Sequence, residues 1–174
     1  MALPLPVSEP ADEYALRRVA EQAASAAGCS AAGVTIVRPQ GRPVLVGTSI
    51  LGLELEATQW DAGEGPGLDA MGQLQVFNVA CLVTAQSWPD FVPRALGRGI
   101  RSCLAVPIIL RGRAVGALDL YSLETDAFVG FEQVGLHFAG EAAMALALVD
   151  DGAPVPASGE AHPSADRSRS RAVS

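Results

Sequence analysis

The sequence predicts an α+β fold, in which a mostly antiparallel sheet is covered by helices. The first observation is that predicted strands follow one another in pairs instead of alternating strictly with helices. The second is a strong hairpin signal: Ser102–Leu110 is almost continuously apolar, Arg111-Gly112 suits a two-residue turn, and Ala114–Ser122 returns with β-compatible residues. We expect this hairpin to form the centre of the sheet.

Composition and charge restrict the class of protein. The chain has 174 residues, is 49% hydrophobic and 18% charged, and carries a net charge of −7. An acidic chain without a basic cluster predicts no nucleic-acid partner. No stretch approaches the roughly 20 apolar residues that span a bilayer, and residues 1–10 lack the basic start of a signal peptide. Together with three scattered cysteines, these features predict a cytoplasmic protein with reduced thiols.

The chain divides into three parts. Residues 1–9 are predicted to be a flexible N-terminal lead, and residues 10–151 a single globular domain. Residues 152–174 combine Pro, Ser, Asp and Arg with few apolar side chains, which predicts a disordered tail.

The N-terminal half predicts a helix, a hairpin and a second helix. The first helix begins near Pro10 and ends at Gly28, and strands Gly33–Val37 and Val44–Thr48 follow. Ser49–Glu56 suits either a short helix behind a Ser cap or more strand, and we favour the helix.

The middle of the chain predicts a shaped loop followed by short elements. Asp61–Ala70, DAGEGPGLDA, contains three Gly and a Pro within seven residues and is expected to close a pocket. It lacks the Lys and Ser/Thr of a phosphate-binding loop. Pro66 suits the start of a helix that turns Leu68, Met71 and Leu74 toward the core. A short strand, Val76–Val79, and a helix opened by Trp88-Pro89-Asp90 complete this part.

The last predicted helix, Phe131–Val149, has two apolar faces. A single sheet covers only the larger one. The smaller face, formed by Gly140, Ala143, Met144 and Ala147, therefore needs another helix or another subunit.

Several of these motifs resemble those of GAF domains. SCLAVPIILRGRAVGALDLYS, followed by a long helix ending in AAMALAL, resembles the C-terminal half of a GAF domain. DAGEGPGLDA and WPDFVPRALGRGIRS resemble GAF domains of bacterial signalling proteins, notably those that carry an ANTAR RNA-binding segment. No ANTAR segment follows Val149, so an RNA-binding output is not carried over.

The resemblance implies a central six-stranded antiparallel sheet. One face would be backed by the terminal helices, which often form a dimer bundle, and the other would hold a ligand pocket under helices and loops. It also implies a sensing role, in which some members bind small molecules.

Residue patterns suggest which side chains line such a pocket. Strand alternation places Val115, Ala117, Asp119 and Tyr121 on one sheet face, where Asp119 is expected to find a polar partner. The pocket-lining candidates are Trp60, Met71, Trp88, Phe91, Cys103, Asp119 and Tyr121. The alternative is that the aromatic side chains simply belong to the core.

Three arginines suggest an anion contact at the pocket mouth. Arg94 and Arg98 are one helical turn apart, and Arg101 begins the next strand. The plainer alternative is a solvated helix face whose arginines pair with nearby carboxylates.

Catalysis has little support in the sequence. Neither His137 nor His162 has a nucleophile or carboxylate at motif spacing, and no metal-ligand pattern is present, so neither an enzyme nor a cofactor is predicted. Cys81 and Cys103 lack the arrangement of the GAF-type methionine-sulfoxide reductases. The sequence thus predicts a non-enzymatic bacterial sensor that binds a small molecule or partner protein and signals as a homodimer through its terminal helices. The alternatives are an interaction module with a filled pocket and a cysteine-based redox sensor.

Overall fold

The computed structural model describes residues 10–39 and 42–152, in which a sheet lies between two layers of helices. The helices are α1 Ala11–Ala27, α2 Ile50–Ala62, α3 Pro66–Gln73, α4 Phe91–Gly97 and α5 Glu132–Gly152, with a short 3₁₀ helix at Leu82–Thr84. The strands are β1 Ala31–Ile36, β2 Val44–Gly47, β3 Phe77–Val79, β4 Ser102–Leu110 and β5 Arg113–Ser122. The predicted lead, residues 1–9, and the predicted tail, apart from Gly152, lie outside the described residues.

The sheet is antiparallel throughout, in the order β2-β1-β5-β4-β3. The β4–β5 hairpin occupies inner positions, as predicted. Its turn residues Arg111 and Gly112 both have positive φ, 52° and 77°. That conformation matches the strand twist in a two-residue hairpin.

The sheet has five strands in the described chain, rather than the six that the resemblance implies. After β3 the chain enters the 3₁₀ helix and irregular structure before α4 begins, so β3 remains an edge strand paired with β4. None of the described helices is long and apolar enough to cross a bilayer.

Side-chain alternation divides the core into two parts. On one face, α1 and α5 pack against the sheet, and Leu118 and Leu120 of β5 belong to this core. On the other face, Tyr121 of β5 joins Leu55 of α2 and Phe91 of α4 in a second core. The terminal helices therefore share one face, as predicted.

Two sequence predictions for α2 and α3 need correction. Ser49 caps α2 by accepting a hydrogen bond from the Gly52 amide, and α2 continues to Ala62, so part of the predicted 61–70 loop is helical. In α3 the buried residues are Pro66, Gly67 and Ala70, whereas Leu74 is 53% exposed. Small residues let α3 approach the sheet closely, and α3 ends before Leu74 reaches the core.

A β-bulge changes the predicted alternation of β5. Ile108 pairs with Gly116 and Ile109 with Ala114, which leaves Val115 as the extra residue. Val115 packs against the α1–α5 core, so it does not share a face with Asp119 as the simple alternation predicted.

Substitutions at two glycines test how closely α2 packs on β1. A Cβ at Gly52 would lie 2.4 Å from the Ala32 carbonyl oxygen, whereas a Cβ at Gly72 would meet nothing within 4 Å. We expect Gly52→Ala to lower the free energy of unfolding by about 1–3 kcal/mol through overpacking. Gly72→Ala, the control in α3, should leave it unchanged or raise it by up to about 1 kcal/mol. Urea unfolding measures both, and equal effects would contradict the packing of α2 on β1.

Candidate functional site

Two carboxyl side chains are buried between the sheet and the α2–α3 layer. Glu56 of α2 and Asp119 of β5 are each 1% exposed. Glu56 lies over Gly33 of β1, and Gly33 is the cross-strand partner of Asp119. We call Thr35, Glu56, Gln59, Asp119 and Tyr121 the carboxyl cluster.

Glu56 is held by hydrogen bonds from both neighbouring strands. The Thr35 hydroxyl donates to Glu56 Oε2 at 2.6 Å, and the Tyr121 hydroxyl donates to Glu56 Oε1 at 2.8 Å. Gln59 Nε2 donates to the Tyr121 oxygen at 2.8 Å, while Gln59 Oε1 accepts from the Gly67 amide at 2.8 Å. This chain of hydrogen bonds ties α2 to β1, β5 and the start of α3.

Asp119 differs from Glu56, because neither of its carboxyl oxygens accepts a well-formed hydrogen bond from a donor among the described residues. The sequence placed Asp119 on the face covered by α2–α4, where its polar neighbours are Glu56 and Gln59. The two carboxyls share a proton, and this hydrogen bond lowers the pKa of Glu56 and raises that of Asp119. Buried polar atoms are nearly always hydrogen-bonded, so such an exception indicates a functional or strained position.

Burial controls the protonation of this cluster. It raises the pKa of Glu56 to about 7, against the effect of the hydrogen bonds from Thr35 and Tyr121. Burial also raises the pKa of Asp119 well above its usual range, and the negative charge of Glu56 raises it further. The pKa values of Tyr121 and Cys103 are raised well above normal, again chiefly by burial. Two neighbouring carboxyls in such a site do not both ionise readily near neutral pH.

Three glycines provide the space that the cluster occupies. A Cβ at Gly33 would lie 2.4 Å from Glu56, one at Gly65 2.3 Å from Gln59, and one at Gly67 2.4 Å from Asp119. The polar side chains therefore fill the region where the resemblance implied a pocket. Any larger residue at these positions would displace one of them.

The sequence-predicted pocket residues fall into two groups. Trp88, Phe91, Cys103 and Tyr121 are brought together in one buried core, with Asp119 beside them on the same sheet face. Met71 of α3 is only half-buried. Trp60 of α2 is 40% exposed.

The sequence analysis missed Thr35, Glu56 and Gln59. In α2, the buried residues include Gly52, Leu55, Glu56 and Gln59, which share one helix face. This spacing becomes visible only when the helix is extended past Glu56, and two polar residues on that face then signal a buried polar site.

Helix α3 is tethered to its neighbours by polar contacts. Asp69 Oδ2 accepts a hydrogen bond from Trp88 Nε1 at 2.9 Å, and the Trp88 ring meets Phe77 edge to face, with ring centroids 5.9 Å apart. Just before α3, Glu64 Oε1 accepts from the amides of Asp90 and Phe91 at the start of α4. These contacts hold α3 against Asp119.

Two of the three candidate arginines contact other groups through their side chains. Arg98 pairs with Glu54 at 3.1 Å, and its Nη1 donates to the Arg94 carbonyl at 3.2 Å. Arg101 donates to the carbonyls of Leu96 and Ile100. Arg94 itself is exposed on α4.

Two cavities lie elsewhere in the described structure. One, of about 370 Å³, is mostly apolar and includes Ile36, Leu110 and Leu146 in its lining. The other is an open groove of about 580 Å³ along α5, lined partly by Gly140 and Met144. Neither is lined by the carboxyl cluster.

Other reactive groups are scattered. Over residues 10–39 and 42–152, no three His, Cys, Asp or Glu side chains come together to hold a metal ion. The three cysteines are free thiols. The Thr84 amide lowers the pKa of the Cys81 thiol, whereas burial raises those of Cys29 and Cys103.

Comparison with known proteins agrees with this architecture. The model of the GAF domain family matches residues 13–149. A domain of a putative two-component sensor histidine kinase from Sinorhizobium meliloti superposes with a TM-score of 0.61 at 16% identity, covering 83% of this chain and 97% of that one. No curated protein sequence matches the chain.

Two further solved structures share the fold. The GAF domain of a phosphoenolpyruvate-protein phosphotransferase from Coxiella burnetii has a TM-score of 0.57 at 22% identity, covering 82% of this chain and 89% of that one. Free methionine-R-sulfoxide reductase from Neisseria meningitidis has a TM-score of 0.53 at 17% identity, covering 87% of this chain and 99% of that one.

The fold and the matched residues define an α+β domain in which an antiparallel sheet lies between two layers of helices. The chain belongs to the GAF domain family.

Protonation of Glu56 should make stability depend on pH. The folded chain holds the Glu56 proton up to a pKa of about 7, whereas the unfolded chain loses it near 4.5. The raised pKa therefore adds to the free energy of unfolding in full below pH 4.5, and this added stability is lost as pH rises toward about 7. When urea unfolding is measured over this pH window, the free energy of unfolding of the original chain should fall by up to about 1.4 kcal/mol per pH unit. Glu56→Gln should remove this slope.

Glu54→Gln is the matched control, because Glu54 lies on the exposed side of α2 and pairs with Arg98. It should keep the slope of the original chain. Identical slopes for Glu56→Gln and the original chain would contradict a buried, protonated Glu56.

Proposed function

We propose that this GAF domain is a non-enzymatic sensor of the bacterial cytoplasm, which binds a small ligand at the carboxyl cluster and signals through α1 and α5. The observation that carries the proposal is the buried carboxyl of Asp119, whose oxygens accept no well-formed hydrogen bond from the described residues. A buried group without hydrogen bonds costs stability. A ligand that supplies those hydrogen bonds recovers that cost, and so favours the conformation to which it binds.

Strand β5 supplies the path from the cluster to the terminal helices. Asp119 points into the α2–α3 side, while its chain neighbours Leu118 and Leu120 pack into the α1–α5 core. Because β5 is the middle strand, a displacement at Asp119 moves side chains that contact both terminal helices. The strand thus links the two faces within three residues.

The output surface in this proposal is the outward face of α5. Leu136, Met144 and Leu148 are 39%, 62% and 75% exposed, and with Gly140 they recur every four residues along the helix. Leu136, Gly140 and Met144 line the open groove, whose floor includes the small residues Ala143 and Ala147. An apolar stripe with small residues suits close approach of a second copy of α5, which favours a homodimer.

A non-enzymatic role is supported by the state of the nucleophiles next to the carboxyl cluster. Burial raises the pKa values of Cys103 and Tyr121, so both are protonated and unreactive near neutral pH. The His137 ring contacts Phe138 and lies on α5, away from the carboxyl cluster on the other face of the sheet.

A second candidate function is an interaction module whose pocket is filled by its own side chains. The close fit of Glu56, Gln59 and Asp119 against Gly33, Gly65 and Gly67 favours it. In that case the cluster serves stability, and α5 binds its partner regardless of any ligand.

Hydrogen exchange distinguishes the two candidates. If the cluster communicates with the terminal helices, Asp119→Asn should change amide exchange in α5 as well as in α3, because Leu118 and Leu120 respond to the altered side chain. Ala117→Ser, a change of similar size two residues away on the same sheet face, is the control for mere disturbance of β5. Changes confined to α2, α3 and β5 would favour the filled interaction module.

Dimerisation through α5 is tested by placing a charge on the stripe. Met144→Arg should weaken self-association by about tenfold or more, because an unpaired charge would be buried in the interface. Val129→Arg, at a position that is 72% exposed before α5, is the matched control. Sedimentation velocity over a concentration series measures both variants. A monomeric starting protein, or equal association of the two variants, would contradict this interface.

A further inference from the structure

We propose that the carboxyl cluster recognises the protonated primary amino group of a small organic ligand, with Asp119 as its principal contact. This inference rests on the proposed sensor function and names the chemical class of the ligand. It replaces the anionic ligand that the three arginines suggested.

The titratable side chains described around Asp119 are all acidic groups, which carry either no charge or a negative charge. The titratable groups that face it are Glu56 from α2, Cys103 from β4 and Tyr121 from β5. From β1, the uncharged Thr35 hydroxyl donates a hydrogen bond to Glu56. Each of these groups is neutral or negative. A cation is therefore attracted, whereas a carboxylate or phosphate is repelled.

No arginine balances the pair from within the described chain. The Thr35 and Tyr121 hydroxyls donate to Glu56, whereas no donor of well-formed geometry reaches Asp119. The two carboxyls hydrogen-bond each other only through a shared proton. A buried carboxylate normally requires a counter-charge or several donors. We therefore expect the negative charge of the Glu56–Asp119 pair to be balanced by a bound ligand or by protons.

The number of unsatisfied oxygens favours an ammonium group over a proton. Neither oxygen of Asp119 accepts a well-formed hydrogen bond from the described residues, and a proton shared with Glu56 serves only one of the two oxygens. An ammonium group provides three donors and a positive charge, so it can bond both oxygens and still reach Glu56. A metal ion is less suitable, since the described side chains offer no set of three acidic, His or Cys ligands.

The surroundings suit the rest of such a ligand. Tyr121 and Cys103 connect the cluster to an apolar core that contains Leu55, Phe91 and Trp88. These side chains are packed together and buried, so an aliphatic chain on the amino group would reach them only after α3 has moved. Aromatic rings beside a cation add a favourable electrostatic contribution.

Helix α3 provides the means of entry. Its backbone covers Asp119 so closely that a Cβ on Gly67 would lie 2.4 Å from Oδ2. Before it, Gly63 and Gly65 both have positive φ, 67° and 152°, which glycine adopts without strain. Breaking the Gly67–Gln59 and Asp69–Trp88 hydrogen bonds would free α3 to lift about this segment. The ligand would then take the place of the Gly67 backbone beside Asp119.

Three matched probes test the ligand class on the full chain. Norleucine carries an amino and a carboxylate group, pentylamine is the same molecule without the carboxylate, and hexanoate is the same molecule without the amino group. Thermal unfolding is followed with each probe against sodium chloride of equal ionic strength. At about ten times Kd, a bound probe should raise Tm by about 3 °C.

The pattern of responses decides the outcome. A rise with pentylamine supports a simple amine, and a rise with norleucine alone supports an amino acid. A rise with hexanoate equal to that with the amines, or no rise with any probe, overturns the proposal. The hydrogen-exchange test of Asp119→Asn is independent of these probes. If it still shows coupling to α5 when the probes fail, the sensor function stands and only the ligand class is wrong.

Asp119→Asn should weaken the response to the amine by at least about tenfold, since the charged acceptor is lost. Asp61→Asn, on the exposed side of α2, is the control and should respond like the original chain. If Asp119→Asn does not fold, calorimetry on the original chain replaces it. Binding should then release protons from the carboxyl pair, so the measured heat changes between buffers of different ionisation enthalpy. Equal heats in the two buffers would overturn the proposal.

Discussion

The burial of Asp119 beside Glu56 is the constraint around which this half of the molecule is built. Placing two acids on the covered face of a central sheet requires space, donors and protons. Gly33 and Gly67 provide the space, and Thr35 and Tyr121 provide donors for Glu56. Glu56 accepts two hydrogen bonds, whereas no donor of well-formed geometry reaches Asp119. For this reason we propose Asp119, and not Glu56, as the principal ligand contact.

The two faces of the sheet have different physical characters. The α1–α5 side is an apolar core of Leu, Val and Ala, which specifies the fold and little else. The opposite side combines aromatic side chains with a polar network, and its covering helices are short and held partly by side-chain hydrogen bonds. In the proposed mechanism this layer opens to admit the ligand, while the α1–α5 core stays closed. Binding on one face and oligomerisation on the other are therefore compatible in one small domain.

The sequence predicted the architecture better than the site, for physical reasons. The β4–β5 hairpin depends on local signals, an apolar run and the Arg111-Gly112 turn, so it was recognisable without tertiary information. Asp119 stood out as a polar residue in a central strand. Glu56 and Gln59 did not, because their burial depends on how far α2 extends and on which strands it covers. The missing sixth strand likewise reflects pairing between distant segments, whereas the bulge at Val115 is an irregularity within the hairpin itself. Periodicity encodes neither feature.

The most direct test of this account is the titration of the Asp119 carboxyl, followed by ¹³C NMR of the full chain with Glu56→Gln as a reference for assignment. The account predicts that Asp119 titrates well above the ordinary value of 3.8 and that its pKa falls when Glu56 loses its charge. A carboxyl that titrates near 3.8 and is indifferent to Glu56 would contradict it. Such a result would mean that Asp119 is solvated or paired in solution and is not a buried site awaiting a ligand.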